Sequence, residues 1–199
     1  MLKIALTGGI ATGKSYVLAR MSDRGVPTID ADDIVHAALG PGTPTTAALA
    51  AQFGREFLKP DGSIDRTRLG AKVFKEPNTR HQVEAIVHPV VYHAIRTWSE
   101  TLKDPMAVAC IPLLYETGHE KDFDVVVVTV CPPEVQLQRL MQRDGISEAQ
   151  ARQRIATQMP ANEKAARGDF VIDTSGAKAQ TDCQVDDLLR TLRTRSDSS

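Results

Sequence analysis

Near its N-terminus the chain reads Gly8-Gly9-Ile10-Ala11-Thr12-Gly13-Lys14-Ser15, which fits the pattern G-x-x-x-x-G-K-[ST] at every fixed position. An apolar run at 3–7 precedes this stretch, and a helical pattern at 14–23 follows it. Glycines let the backbone turn tightly and bring successive N–H groups onto phosphate oxygens, and the N-terminus of a helix adds partial positive charge. The context therefore predicts a nucleotide-binding phosphate loop, a P-loop, rather than a glycine turn with an exposed lysine.

Two side chains of this loop have specific expected roles. Lys14 is expected to reach the β- and γ-phosphates of a bound nucleotide, and the Ser15 hydroxyl is expected to ligate magnesium. GTPases of the usual kind need a guanine-reading Asn-Lys-x-Asp stretch, which the sequence lacks. Large ATPases usually have an apolar strand that ends in an aspartate, whereas the run at 106–111 continues into Pro112-Leu113-Leu114-Tyr115-Glu116. These features favour the small-molecule kinases among P-loop proteins.

The rest of the chain alternates apolar runs with helical patterns, which is typical of a parallel sheet with helices on both faces. Further strands are predicted at 26–30, 106–114, 123–130 and 170–172, and an amphipathic helix at 182–193. The predicted fold class is α/β, a three-layer P-loop NTPase fold with a parallel sheet core.

Two helical insertions interrupt this alternation. Between the second and third strands, Asp65 is predicted to cap a helix through Leu69 to Phe74, and Pro89 to begin a new helix after His88. This insertion is large enough to hold a substrate, and a structural cap over the sheet is the alternative. The second insertion, at about 133–168, has an excess of basic over acidic side chains. The basic ones are Arg139, Arg143, Arg152, Arg154, Lys164 and Arg167.

Charge and cysteine content narrow the function classes. The 24 basic and 25 acidic residues give a net charge of −1, which does not support bulk binding to nucleic acid or to a membrane surface. No apolar run approaches the roughly 18 residues that span a bilayer, and no signal peptide is recognised. Cys110, Cys131 and Cys183 fit neither a zinc pattern nor a disulfide framework. We therefore expect reduced thiols and a cytoplasmic protein without nucleic-acid or membrane partners.

Phosphoryl transfer to a hydroxyl needs a carboxylate near the attacking oxygen, and candidates follow the second strand at Asp30-Ala31-Asp32-Asp33. In an extended segment Asp30 and Asp32 point the same way, but this inference fails if the chain is already helical at Asp32. Asp30 is also a candidate cap for a helix that begins at Asp33. One aspartate is therefore expected to be structural, and Asp33 to be merely solvated.

Arg139 and Arg143 lie four residues apart, on one face of the helix predicted after the fourth strand. Arginines brought in by a closing lid stabilise the charge that develops on a transferred phosphoryl group. A solvated basic face is the alternative interpretation for both side chains.

Read together, these stretches resemble the dephospho-coenzyme A kinase family over residues 6–176. The matching pieces, in the family's order, are 6–10, 29–32, Asp65-Arg66 with Leu69-Gly70 and Val73-Phe74, His88-Pro89, 111–116, 138–140 with Arg143-Asp144, 151–155, Gln158-Met159 and Glu163-Lys164. The resemblance implies transfer of phosphate from ATP with Mg²⁺ to the ribose 3′-hydroxyl of dephospho-CoA, the last step of coenzyme A synthesis. It also implies a nucleotide-binding core at 1–34, 104–133 and 169–199, a helical acceptor domain at 35–103 and a helical lid at 134–168. We expect the protein to be a monomer.

The resemblance also implies roles for individual residues. The ATP-binding set is Gly8, Gly9, Ala11, Thr12, Gly13, Lys14, Ser15, Tyr16, Arg139 and Arg143, of which Lys14 and Arg143 are also catalytic, with Ser15 as the metal ligand. Asp32 is implied as the base, and the acceptor-binding set is Asp32, Arg66, Leu69 and His88.

Four positions depart from the family pattern. Ala11 stands where the family usually has glycine, so one backbone N–H must be presented without the freedom of glycine. Tyr16 replaces a common threonine, and Gly168-Asp169 replaces alanine-aspartate. Thr174 takes the place of an asparagine in the stretch 171–176, which is expected near the adenine. Another small-molecule or nucleoside-monophosphate kinase, and a nucleotide-binding regulator without turnover, are the alternatives.

Overall fold

The protein is described here by a computed structural model that covers residues 1–196. Side chains are described for residues 1–73, 76 and 78–195. The predicted core range 169–199 therefore ends outside the described residues.

Within residues 1–196, five parallel strands form one sheet in the order β2-β3-β1-β4-β5. The strands are β1 (Leu2–Gly8), β2 (Thr28–Asp30), β3 (Met106–Cys110), β4 (Val125–Val130) and β5 (Phe170–Asp173). The three central strands are nearly continuous runs of buried apolar residues, because helices cover both faces of a parallel sheet. The predicted parallel α/β fold is confirmed, with β3 ending at Cys110, before Pro112 removes a donor from the ladder.

Helices cover the sheet from two sides. One face packs Ile4, Leu6 and Val127 against α1 (Lys14–Ser22) and the apolar stripe of α9 (Lys178–Ser196), which includes Val185 and Leu189. The other face packs against α8 (Ala161–Arg167). Gly168, the C-cap of this helix, lies so close to β4 that an added Cβ would be 2.5 Å from Val128 Cγ2. This gives the three layers expected of the fold. The other helices near the sheet are α6 (Pro133–Asp144) and α7 (Glu148–Ile155).

Contacts divide the chain into two compact units: residues 1–30 with 102–199, which hold the sheet, and residues 31–101. The second unit is helical, with α2 (Ala31–Ala38), α3 (Pro44–Phe53), a 3₁₀ turn (Arg55–Phe57), α4 (Arg66–Lys75) and α5 (Pro77–Thr101). Helix α5 packs against α2, α3 and α4. As predicted, Asp65 caps α4, accepting a hydrogen bond from the Arg68 N–H. The acceptor boundaries 35–103 and the lid boundaries 134–168 stay predictions.

The prediction that a new helix begins at Pro89 is wrong. Helix α5 runs through Pro89 without a break, although proline loses one hydrogen bond of the helix ladder. Pro89 is exposed, whereas Val87, Val91 and Ile95 form a buried stripe at four-residue spacing that continues on both sides of it. Burial of this stripe holds the two halves of α5 together as one helix.

The cysteines agree with the reduced-thiol interpretation. Cys110 and Cys131 are buried, Cys183 is exposed, and none of these three cysteines forms a disulfide. Burial raises the pKa of the Cys131 thiol, which favours a packing role for it. Among the described helices, none combines the length and apolar character that a membrane span requires.

Candidate functional site

The P-loop links the carboxyl end of β1 to the first turn of α1. Gly13, the N-cap of α1, has φ 88°, a left-handed conformation that glycine adopts without strain. Gly8 must also lack a side chain, because a Cβ there would lie 2.4 Å from Thr129 Oγ1. Thr12 is fully buried, and its hydroxyl lies 2.8 Å from that of Thr129 and donates to the Gly9 carbonyl at 2.8 Å. The loop is therefore held in place by Thr129, near the carboxyl end of β4.

The opening of α1 has the character of an anion site. In the described part of the chain no side chain caps this helix, and its first turn carries no acidic residue. The first N–H groups of a helix have no acceptor within the helix itself, and the partial positive charge of the helix lies behind them. Ser15, in this turn, is exposed.

Lys14 folds back over the loop. Its Nζ donates to the carbonyl oxygens of Gly8 at 3.0 Å and Gly9 at 2.8 Å. These contacts keep the ammonium group beside the N–H groups of the loop, where the sequence predicts the β- and γ-phosphates. Tyr16, in the first turn of α1, donates its hydroxyl hydrogen to Asp182 of α9 at 2.8 Å. That hydrogen bond is the main reason the pKa of Tyr16 is raised.

Two glutamines hold the middle of the loop, and the sequence analysis missed both. The Ile10 N–H donates to Gln158 Oε1 at 2.8 Å, and the Ile10 carbonyl accepts from Gln136 Nε2 at 2.8 Å. Gln136 is buried on α6, four residues before the fully buried Leu140. The sequence signal for Gln136 was a polar residue at a position where the helical spacing predicts burial. Gln158 lies in a stretch that matches the family, but no role was assigned to it.

Arg139 of α6 binds Thr174, the residue that follows β5. Its guanidinium donates to the Thr174 hydroxyl at 3.0 Å and to the Thr174 carbonyl at 2.6 Å. The Thr174 hydroxyl in turn donates to the Thr12 carbonyl at 2.9 Å. Thr174 therefore links the loop to Arg139, and the Arg139 guanidinium is hydrogen-bonded to protein rather than only to solvent.

Arg143 lies one turn further along α6 and is more exposed. Its guanidinium pairs with Asp144 at 2.7 Å, and Asp144 also pairs with Arg154 at 2.6 Å. The hydrogen bond from Arg143 is the main reason the pKa of Asp144 is lowered. Arg143 is thus placed on a solvent-exposed surface of α6 by a carboxylate that two arginines share.

A buried ion pair lies where β3 leaves the sheet. Lys164 of α8 has 0% exposure, donates to the Pro112 carbonyl at 2.7 Å and pairs with Glu116 at 2.9 Å. Glu116 also accepts from the Met159 N–H at 2.9 Å. The sequence counted Lys164 among the basic excess of the second insertion, whereas the structure commits it to the interior.

The aspartates after β2 lie differently from the extended-segment prediction. Helix α2 begins at Ala31, so Asp32 and Asp33 both lie in its first turn and both are exposed. Asp30 is the last residue of β2, paired in register with Cys110 of β3. The inference that Asp30 and Asp32 point the same way is therefore wrong, because the chain is already helical at Asp32.

The remaining predicted acceptor residues lie in the helical unit. Arg66, at the start of α4, is exposed, and its guanidinium lies 2.7 Å from His36 Nδ1 of α2. His88 packs edge-on against Tyr92 within α5, with ring centroids 6.5 Å apart. Leu69 is only 4% exposed, which favours a packing role for its side chain. Contact of these residues with an acceptor stays a prediction.

Comparisons with known proteins agree with this geometry. A family model described as dephospho-CoA kinase matches residues 2–180. Dephospho-CoA kinase from Anaeromyxobacter dehalogenans is 48% identical over 196 residues, covering 97% of this chain and 93% of that protein. Among solved structures, TT1252 from Thermus thermophilus superposes with a TM-score of 0.84 at 30% identity, over 96% of this chain and 97% of that one. Dephospho-CoA kinase from Campylobacter jejuni has a TM-score of 0.71 at 28% identity, over 96% of each chain.

Proposed function

The chain belongs to the dephospho-CoA kinase family, and on this premise we propose which side chains carry its reaction. The reaction is the ATP-dependent phosphorylation of the ribose 3′-hydroxyl of dephospho-CoA to give CoA and ADP, the final step of coenzyme A synthesis. The observation that supports the assignment most strongly is the P-loop at the uncapped N-terminus of α1, with Lys14 Nζ within 3.0 Å of two loop carbonyls.

The nucleotide phosphates bind to the backbone N–H groups of residues 11–16. Lys14 exchanges its contacts with Gly8 and Gly9 for oxygens of the β- and γ-phosphates, where it follows the charge of the transferred group. The ammonium has a short distance to travel, since those carbonyls belong to the loop itself.

Mg²⁺ bound with ATP would be held by Ser15, an exposed residue in the first turn of α1. Within the described residues no group of three or more His, Cys, Asp or Glu side chains forms a separate metal cluster. Mg²⁺ usually keeps several waters and binds through substrate phosphates with few protein ligands, so Ser15 would suffice as its protein ligand here. When bound, it neutralises charge on the phosphates.

Arg139 and Arg143 act from α6. Arg139, which is held by Thr174, contributes a fixed positive charge beside the loop. Arg143 leaves Asp144 and reaches the transferred phosphoryl group as the lid closes. The exchange is feasible because Asp144 keeps Arg154 as a partner.

Asp32 orients the attacking hydroxyl and accepts its proton. It follows the carboxyl end of β2 by two residues and is exposed to solvent, and a carboxylate is a suitable general base for a hydroxyl. Arg66 and His88, with Leu69 beneath the surface, contribute to binding dephospho-CoA in the helical unit.

Asp32→Asn tests this assignment, with Asp33→Asn as its matched control. Both aspartates are exposed in the first turn of α2, so the two substitutions remove the same charge from neighbouring positions. Asp32→Asn should lower kcat by roughly 10²–10⁴-fold, because the amide cannot accept the proton. ATP affinity, measured by titration calorimetry, should not change, and Asp33→Asn should be close to wild type. Reversed phenotypes would assign the base to Asp33.

We also propose a monomer that works in the cytoplasm, without nucleic-acid or membrane partners. The near-neutral charge supports the absence of nucleic-acid and membrane partners, and three cysteines outside any disulfide support a reducing compartment. Light scattering on the purified protein should give a mass near 21.7 kDa, and a mass near twice that value would exclude the monomer.

A further inference from the structure

Ala11 is the one non-glycine residue with a positive φ among the described residues, at 59°. Side chains other than glycine reach this left-handed region at a cost, because Cβ approaches the neighbouring carbonyl oxygen. The chain must therefore stabilise this conformation by contacts outside Ala11 itself. It lies in the part of the loop whose N–H groups face the nucleotide phosphates.

The residue before Ala11 provides such contacts. Ile10 is gripped on both backbone polar groups, by Gln158 Oε1 at its N–H and by Gln136 Nε2 at its carbonyl. The carbonyl of Ile10 belongs to the same peptide unit as the N–H of Ala11. Fixing the orientation of this peptide therefore restricts the rotation of the backbone that leads into Ala11.

The segment that carries Gln158 is itself fixed by contacts that lead to a buried residue. The next residue, Met159, donates its N–H to Glu116, and Glu116 is fixed by the fully buried Lys164. Gln158 thus approaches the loop from a segment that is tied to the interior of the sheet unit. Gln136 lies on a different element, α6, so the two hydrogen bonds to the Ile10 backbone come from separate parts of the structure.

We propose that Gln158, together with Gln136, is a positioning residue that holds Ala11 in its left-handed conformation and thereby presents the loop to the phosphates of ATP. With alanine at position 11, the two glutamines supply a restraint that this conformation needs. This inference rests on the proposed role of the loop in binding ATP. It predicts that Gln158 matters for ATP and not for the acceptor.

A double-substitution cycle of Gln158→Ala and Ala11→Gly tests this inference. With alanine at position 11, Gln158→Ala should lower kcat/KM for ATP about tenfold, because a small misplacement of phosphate donors is costly. The KM for dephospho-CoA and the melting temperature should stay close to wild type. In the Ala11→Gly background, the same substitution should cost about twofold or less, since glycine adopts the left-handed conformation unaided.

Gln153→Ala is the matched control, because it removes an exposed glutamine from the neighbouring helix α7. It should leave every parameter unchanged. Equal losses from Gln158→Ala in both backgrounds, or no loss in either, would overturn the inference. A loss of ATP turnover that follows a matching drop in melting temperature in both backgrounds would do the same. Failure of the loop assignment itself is a separate outcome, since it would appear as an active Lys14→Ala variant.

Discussion

The two units of the chain hold their functional groups in different ways. In the sheet unit, the phosphate loop is fixed by buried or half-buried partners such as Thr12, Thr129 and Gln136. In the helical unit, the proposed acceptor residues Asp32 and Arg66 are exposed on the first turns of α2 and α4. The first site is built largely from backbone held in place, and the second from side chains on helix surfaces.

This difference matches the two tasks of a kinase. Stabilising a transferring phosphoryl group requires donors that are already in position when charge develops. Specificity for one acceptor depends on surface side chains of the helical unit, which can differ between proteins while the sheet stays the same. We therefore expect substitutions in the loop to damage catalysis with any acceptor, and substitutions in the helical unit to act through the acceptor.

Of the substitutions proposed here, Lys14→Ala should lower activity most. An absence of effect would contradict the difference described between the two units. Loss of the ammonium should lower kcat by roughly 10³-fold or more, since no other cation of the loop follows the charge onto the phosphates. Coupled ADP-release kinetics measure the effect, with circular dichroism to show that the variant folds. Lys121→Ala, at an exposed position of the same unit, is the control and should retain wild-type rates. A folded Lys14→Ala variant with near-native activity would contradict the loop assignment.

Arg143→Ala should have the next largest effect, about 10²-fold on kcat. Because Arg143 is paired with Asp144 in this structure and is recruited on closure, ATP affinity in the open state should change much less. Rapid-mixing single-turnover experiments separate the two effects. Arg190→Ala, which removes an exposed arginine that is also paired locally, should be neutral. Weaker ATP binding with unchanged kcat would instead make Arg143 a simple binding residue.

A pair of glutamate substitutions compares the stability of the two units. Burial lowers the pKa of Lys164 and Glu116 partly restores it, so Glu116→Gln leaves a buried ammonium without its charged partner. Its free energy of unfolding, measured with urea, should fall by about 3 kcal/mol. Glu84→Gln, which breaks the more exposed pair with Arg80 on α5, should cost less than about 0.5 kcal/mol. Equal losses would show that the Glu116–Lys164 pair does not anchor the sheet unit.

Local patterns predicted the sheet unit well. Buried parallel strands are continuous apolar runs. The glycines of the loop are required by backbone geometry and its lysine by the charge of the phosphates, so these features are visible in short stretches of sequence. Asp65 was likewise recognisable as a helix cap from its local context.

Long-range contacts were not visible in this way. Gln158 meets Ile10 across 148 positions, and Lys164 meets Glu116 across 48, so neither contact leaves a periodic signal. The continuous helix through Pro89 depends on tertiary burial of Val87 and Val91, which overrides the local preference of proline. The start of α2 at Ala31 was missed because segment boundaries are weakly encoded.

The choice of acceptor tests the account most directly. Initial rates should be measured at saturating ATP with dephospho-CoA, ADP, AMP and adenosine, and the products located by phosphorus NMR. Binding energy from remote groups aligns the reacting hydroxyl, so kcat/KM should fall steadily along that series. With dephospho-CoA we expect fast ADP release and a new phosphate on the ribose 3′-oxygen. Phosphorylation of AMP on its existing phosphate, as fast as dephospho-CoA on its ribose, would contradict it.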